Sequence, residues 1–319
     1  MPDTRPAVLV LSDVHPHVAE ALAERFEVVL VERSERLRIE PATAERIRAA
    51  ASSGSFNSAW MDQLPHLQLI ANFGVGYDGV DIAHAVARRV IVTNTPDVLN
   101  DEVADTTIGL LLNTVRQFAK AEQWLRAGNW AHGAYPLTPF SLTGRHVGIF
   151  GLGRIGKEIA NRLQPFKVKI SYHTRTRHPD VDYDYYPTLK DMASAVDTLI
   201  AIVPKTAATH KVINAEIMRA LGPQGVLINV GRGWSVDEDD LIATLGDGTL
   251  GAAGLDVFYD EPHVPQALLA LPNATLLPHI GSSTVPTRHA MADLVANNII
   301  RWLDSGHAIT PVPETPLKR

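Results

Sequence analysis

Residues 145–174, RHVGIFGLGRIGKEIANRLQPFKVKISYHT, constrain this chain more than any other stretch. An apolar burst from His146 to Phe150 ends on Gly151-Leu152-Gly153-Arg154-Ile155-Gly156. An amphipathic segment follows to about Leu163, and a second β-rich burst runs from Lys167 to Tyr172. Strand, glycine-rich turn, helix and strand, in that order, make the first unit of a dinucleotide-binding fold. Gly151 permits the tight turn, Gly153 lets the backbone approach a pyrophosphate, and Gly156 lets the helix lie close on the sheet. The helix start, at Arg154 and Ile155, offers N–H groups and a partial positive charge to the phosphates.

At 319 residues the chain exceeds what one hydrophobic core usually organises, so two domains are expected. A hydrophobic share of 45% with 20% charged residues is that of an ordinary globular protein. The net charge of -6 gives no electrostatic reason to expect nucleic acid or an anionic membrane as partner. The absence of cysteine excludes a disulfide framework, a thiolate nucleophile and a cysteine-ligated metal, and no metal is expected. The N-terminal apolar run is too short for a signal peptide and no stretch is long enough to span a bilayer, which makes a cytoplasmic protein the default expectation.

Ala7 to Leu11 (AVLVL) is a continuous apolar run, a helical pattern passes through Val18, Leu22 and Phe26, and Val28 to Val31 is apolar again. This is β-α-β without a phosphate-binding glycine loop. Glu45 to Ser53 (ERIRAAASS) reads as helix on propensity, whereas alternation of the preceding units favours a strand near Ile47 to Ser52. Leu67 to Phe73, ending in Gly74-Val75-Gly76-Tyr77-Asp78, and Arg89 to Thr93 are the next strands. The opening segment therefore predicts a layer of about five parallel strands.

Beyond the turn-rich Asn94 to Val98, a helical pattern begins near Asp101 and runs through Val103, Thr107, Leu110, Leu111 and Val115. An interdomain crossing is placed here, with Asn100 or Asp101 as N-cap. Gly128 to Thr143 carries Trp130, Tyr135 and Phe140 among glycine and proline, and reads either as a satellite core or as an interface. Thr198 to Val203, Val226 to Val230 and Gly251 to Val257 are near-continuous apolar strands, with Ala274 to Leu277 a short last one. Val285 to Leu303 reads as a long helix with Met291, Leu294, Val295, Asn298, Ile299 and Trp302 near one face, and the tail after Gly306 has no period. The fold class is α/β, with two Rossmann-like doubly wound parallel-sheet domains.

Catalytic groups in such sheets lie beyond the carboxyl ends of the strands. Arg232 follows the strand ending at Val230, in NVGRG; Glu261 follows Asp256-Val257-Phe258; His279 follows the last strand, in LPHIGSS. Taken singly, each also fits a structural role: an arginine in a surface turn, a glutamate capping a helix, a histidine satisfied by a backbone carbonyl.

The succession GLGRIG, NVGRG, GLDVFYDEP and LPHIGSST resembles the D-isomer-specific 2-hydroxyacid dehydrogenase family, in the family's order and over essentially the whole chain. The resemblance implies that Arg232, Glu261 and His279 form the active site. It places that site in a cleft between a discontinuous substrate-binding domain, residues 1–98 with 286–319, and a dinucleotide-binding domain, residues 99–285. It assigns the main-chain N–H groups of Val75 and Gly76 to the substrate carboxylate. Val203, Pro204, Val230, Gly231, Asp256, His279 and Gly281 join the glycine motif as cofactor contacts, Asp256 through the nicotinamide carboxamide; a buried capping aspartate is the alternative for that residue.

The implied chemistry is coherent. A 2-oxo acid has a carboxylate that needs a cation and a carbonyl oxygen that gains negative charge as hydride reaches C2, and Arg232 can serve both. His279, as imidazolium, can protonate the forming alkoxide. Glu261 would orient that ring and favour its protonated form. GVGYDGVD, TNTPDVLNDEVAD and the short C-terminus resemble the glyoxylate/hydroxypyruvate reductase branch, with a small 2-oxo acid as substrate. A 2-ketogluconate reductase, a reductase of bulkier oxo acids such as hydroxyphenylpyruvate, and a dinucleotide-sensing scaffold like the C-terminal-binding-protein corepressors are the alternatives. The lack of long polar tails argues against the last.

An NAD-specific site places Asp or Glu about 20 residues beyond the glycine motif, on the ribose 2′-hydroxyl. Here that slot reads Tyr172-His173-Thr174-Arg175-Thr176-Arg177, with no carboxylate. Arg175 and Arg177 supply cations for a 2′-phosphate and Thr174 a hydroxyl donor, so NADPH is expected over NADH, the weaker alternative. Family members pair through their cofactor domains, with the segment between Asp101 and Thr143 wrapped on the partner. An arm carrying Trp124, Trp130, Tyr135 and Phe140 therefore predicts a homodimer, with Tyr135 a candidate to reach the neighbouring active site.

Overall fold

The computed structural model describes residues 5–33 and 38–315. The chain divides into two compact units: the chain through Leu99 together with the chain from Thr284 on, and Asn100–Ser283. Each is built on its own parallel sheet with helices between the strands, the α/β architecture read from the sequence.

The first sheet has five strands: β1 (Ala7–Leu11), β2 (Glu27–Val31), β3 (Ile47–Ser52), β4 (Leu69–Asn72) and β5 (Ile91–Thr93). Their spatial order is β2-β1-β3-β4-β5, and every pairing is parallel. β3 resolves the ambiguous alanine-rich segment as a strand, paired on one edge with β1 and on the other with β4. A helical preference of a few tenths of a kcal/mol per residue, at about 0.5, cannot outweigh that double ladder and the burial of Ile47. Burying Ile47 alone contributes about 1.5–3 kcal/mol.

The helix Val285–Ser305 completes this unit, capped at its start by the Thr284 hydroxyl and ended by Gly306 in the left-handed conformation. Met291, Val295, Ile299 and Trp302 are buried, and the helix packs on β3, β4 and the helix Pro16–Ala23. Asn298 shares that apolar face because its amide holds the tail: Oδ1 accepts from the N–H groups of Ile309 (2.8 Å) and Thr310 (3.0 Å), and Nδ2 donates to Thr310 Oγ1 at 2.9 Å. The tail after Gly306 is irregular but anchored, with Pro311 bridged to Thr93.

The second sheet has seven strands: β6 (His146–Phe150), β7 (Lys169–His173), β8 (Asp184–Tyr185), β9 (Thr198–Ala201), β10 (Val226–Asn229), β11 (Ala252–Leu255) and β12 (Ala274–Leu276). The order β12-β11-β10-β9-β6-β7-β8 reverses between β6 and β9, the point at which doubly wound sheets bind their ligands. β8 was not foreseen, since two residues, one an aspartate, carry no strand period. Alternate residues of one strand feed opposite layers: Leu199 and Leu227 join Met192, Ile217 and Met218, while Ile200 and Ile228 join Leu110, Ile149 and Ile159.

The helix Asn100–Arg116 begins one residue earlier than a cap at Asn100, and two earlier than a cap at Asp101, would require. Asp101 and Glu102 instead occupy its first turn, where negative charge complements the helix dipole. Arg162, on the helix Arg154–Leu163, reaches Asp101 and Asp105 of this helix as well as its own Glu158. Of the aromatic segment that follows, Phe140 is a satellite of the core, lying beneath the Arg145 guanidinium at 5.6 Å. Trp130 is 69% exposed, and the helix Phe118–Arg126 has no buried residue. Among the described residues, no helix is long and apolar enough to cross a membrane, and no cluster of three or more acidic or histidine side chains could hold a metal ion.

Candidate active site

The glycine motif lies at the reversal of the second sheet. Gly151 has φ 104°, and a Cβ there would stand 2.5 Å from the Ile202 carbonyl oxygen. A Cβ on Gly156 would stand 2.1 Å from the Gly151 oxygen, so helix and strand approach more closely than any larger residue allows. Gly153 differs: a Cβ there meets nothing within 4 Å, which leaves its face open for a ligand's approach. Gly153 is also the N-cap of the helix Arg154–Leu163, with no side-chain cap on the free amides of the first turn. An open glycine face at an uncapped helix start suits a pyrophosphate, so the residues present fit a dinucleotide.

The neighbouring strand ends converge on this turn. A Cβ on Gly231 would stand 2.8 Å from both the N and O of Val203, so the ends of β9 and β10 also meet through a glycine. Val203, Val230, Gly231 and Gly281 are buried, whereas Pro204 and Arg154 are exposed. Beyond β7, Arg175 and Arg177 are exposed, and neither has a carboxylate partner among the described residues. The Thr174 hydroxyl, expected as a phosphate donor, instead donates to the Thr176 carbonyl oxygen at 2.6 Å and shapes the turn.

Arg232, Glu261 and His279 come together on the second unit. His279 Nδ1 stands 2.6 Å from Glu261 Oε2; since a carboxylate only accepts, the ring nitrogen donates and Nε2 is left for other partners. Glu261 Oε1 accepts from the Phe258 N–H at 2.9 Å, which fixes the carboxylate plane. Burial pushes the Glu261 carboxyl up, but the His279 hydrogen bond, the Phe258 N–H and the charges of His279 and Arg232 outweigh it and hold it below the ordinary carboxylate range. His279 is half-exposed, so its free nitrogen is accessible.

Two residues support these turns: Asn229, which carries no strong sequence signal, and Asp256, expected from the sequence as a cofactor contact or a buried capping aspartate. Asn229, fully buried at the end of β10, accepts from the Gly231 N–H at 3.1 Å and donates to the Arg232 carbonyl oxygen at 3.0 Å. It folds the NVGRG turn on itself, as asparagine does two residues upstream of a bend. Asp256 accepts from the N–H groups of Ile280 (2.7 Å) and Gly281 (2.8 Å), clamping the residues after His279. Its burial raises its pKa against the pull of those two amides. Val75 and Gly76 sit on the other unit, in the turn that follows β4.

Residues 108–281 match the family model of the D-isomer specific 2-hydroxyacid dehydrogenase NAD binding domain. The chain is 41% identical over 309 residues to a glyoxylate/hydroxypyruvate reductase A of Arabidopsis thaliana, covering 96% of this chain and 98% of that one. It is 42% identical over 314 residues to a hydroxyphenylpyruvate reductase of Plectranthus scutellarioides, with the same coverages. Its fold superimposes with a TM-score of 0.94, at 55% identity and 99% coverage of both chains, on a crystal structure from Sinorhizobium meliloti. That protein is an NADPH-dependent glyoxylate/hydroxypyruvate reductase in complex with NADP and malonate.

Proposed function

The chain belongs to the D-isomer-specific 2-hydroxyacid dehydrogenase family, and on that footing we propose that it reduces glyoxylate or hydroxypyruvate to the 2-hydroxy acid with NADPH. The observation that carries the chemistry is the Glu261–His279 pair, with an anchored carboxylate on one ring nitrogen and the other free. NADPH, when bound, would supply the hydride for C2 of the oxo acid. His279, through Nε2, gives its proton to the oxygen that gains charge, and Glu261 keeps the ring oriented. Arg232 neutralises the substrate carboxylate and the developing oxyanion, while the Val75 and Gly76 amides hold the carboxylate. Gly151, Gly153, Gly156 and the following helix start bind the pyrophosphate; Arg175 and Arg177 take the 2′-phosphate.

This assignment makes residues 1–98 with 286–319 the substrate domain and 99–285 the cofactor domain. We infer a cytoplasmic enzyme and a homodimer formed through the exposed arm. The deciding experiment is turnover of glyoxylate, hydroxypyruvate, pyruvate, 2-ketogluconate and hydroxyphenylpyruvate, each with NADPH and with NADH. Highest kcat/KM on glyoxylate or hydroxypyruvate with NADPH supports the reading. The identity to the hydroxyphenylpyruvate reductase makes the aromatic oxo acid the second reading, and its preferential turnover would replace the first. NADPH binding without turnover of any oxo acid would leave a dinucleotide-sensing scaffold.

A further inference from the structure

The turn after β4 is tied down on its carbonyl side. The Gly74 carbonyl oxygen accepts from Asn72 Nδ2 at 3.1 Å and from the Thr95 N–H at 3.0 Å. Asn94 Nδ2 donates to the Val75 carbonyl oxygen at 2.9 Å, and Asn72 Nδ2 donates again, to the Gly76 oxygen, at 3.0 Å. In a trans peptide the C=O and the following N–H point in opposite directions. Fixing the Gly74 oxygen therefore fixes the Val75 N–H, and fixing the Val75 oxygen fixes the Gly76 N–H. Among the described residues, neither N–H has a protein acceptor, so both are held ready for an anion.

The supports have foundations of their own. Asn72, the last residue of β4, is 1% exposed, and its Oδ1 has no partner among the described residues, a costly arrangement if the side chain served only to fill space. Asn94 is anchored through its main chain: its oxygen accepts from the Thr310 hydroxyl at 2.7 Å, and Thr310 is itself held by Asn298. A relay thus runs from the long helix through the tail to the turn.

We propose that Asn72 and Asn94 are positioning residues that orient the Val75 and Gly76 amides as a preformed cradle for the carboxylate of the 2-oxo acid. The inference rests on the reductase reading and deepens it. Preformed donors cost no reorganisation when the anion arrives. A turn without its ties could satisfy the same amides internally or on water.

The test uses oxamate, a non-reacting isostere of a small 2-oxo acid. Asn94→Ala should raise the oxamate inhibition constant and the oxo-acid KM by about tenfold, the loss expected for one hydrogen bond to a charged group. The NADPH dissociation constant and kcat at saturating oxo acid should stay near wild type. Asn72→Leu, of similar size but without donors, should behave alike. A purely structural role would lower the melting temperature and damage cofactor binding and turnover together, which would overturn the proposal. So would unchanged oxamate inhibition in a folded variant. Hydrogen exchange of the wild type needs no variant: oxamate should slow exchange at Val75 and Gly76, and unprotected amides would refute the cradle. Failure of the wild type itself to reduce any oxo acid would instead defeat the underlying reading.

Discussion

His279 stands at φ 53°, in the left-handed region that a residue with a Cβ rarely occupies. Holding it there costs about 1–2 kcal/mol. The two amides that follow it are gripped by Asp256 and its ring by Glu261, so neighbouring contacts sustain a conformation that local preference disfavours. A histidine so fixed, if it gives the proton as proposed, should be hard to replace. His279→Ala is expected to lower kcat by about 10²–10⁴-fold with a smaller change in oxo-acid binding, whereas Arg232→Ala should weaken binding and turnover together. Single-turnover measurements check the first, and a His279→Ala enzyme with wild-type chemistry would remove the histidine from the reaction. Glu261 adds a pH prediction whose sign follows from its depressed pKa. It stays anionic into the acid range, so its contribution to stability is complete above the ordinary glutamate value and is lost as pH falls through the lower folded value. Removing that carboxylate in Glu261→Gln should therefore abolish this acid-range loss of stability, and a variant whose melting temperature falls with pH as steeply as the wild type's would show that another group carries it.

The turn after β7, which carries Arg175 and Arg177, is held in shape by its neighbours. Tyr172, fully buried, accepts from the His178 N–H at 2.9 Å and donates to the His178 carbonyl oxygen at 3.2 Å. Tyr185 donates to the Thr174 oxygen at 3.3 Å, and Lys157 pairs with Asp180 just beyond. The turn is pinned at both ends, and Arg175 and Arg177 project from it. A charged hydrogen bond contributes about 1.5–3 kcal/mol, so Arg175→Ala should raise the NADPH KM by at least about tenfold. The NADH KM should barely change. Equal losses for the two cofactors would mean that the turn does not read the 2′-phosphate.

What was legible at this scale follows from the range of the forces involved. The glycine unit, the continuous apolar strands and the long helices are set by local sterics and periodicity, and these can be read along the chain. β8 could not be read, since two residues at a sheet edge borrow their structure from β7. Asn72, Asn94 and Asn229 were passed over for a related reason. Asn229 bonds within its own turn, a short-range signal present in the residues NVGR, but the tie from Asn94 to Val75 joins the ends of two strands and exists only once β4 and β5 are side by side. Asn100 and Asp101, either of which the sequence offers as the cap, both lie inside the helix, since a polar or charged residue in the first turn and a cap leave the same trace in the sequence.

At the scale of the whole molecule, the arm between Phe118 and Leu137 stands out for the apolar surface it exposes. Phe118 is 50% exposed, Leu125 49%, Trp130 69% and Leu137 99%, all within one short stretch of chain. Scattered apolar residues on a surface need no explanation, but a helix with no buried residue, followed by an exposed tryptophan and leucine, is stabilised by little within its own chain. Trp124 and Tyr135 do meet edge to face at 5.4 Å, which gives the arm a fold of its own to present to a partner. A second copy of the chain, placed by a two-fold axis, would cover the same residues on both subunits at once. We therefore expect sedimentation equilibrium at micromolar concentration to give a dimer of the 34.7 kDa chain. Combining Trp130→Ser with Leu137→Ser, which removes apolar surface but no internal contact of the core, should shift the mass toward the monomer while the circular dichroism spectrum stays native. A wild-type monomer under those conditions would show that the arm has another purpose, and a double variant that remains fully dimeric would place the interface on a different face.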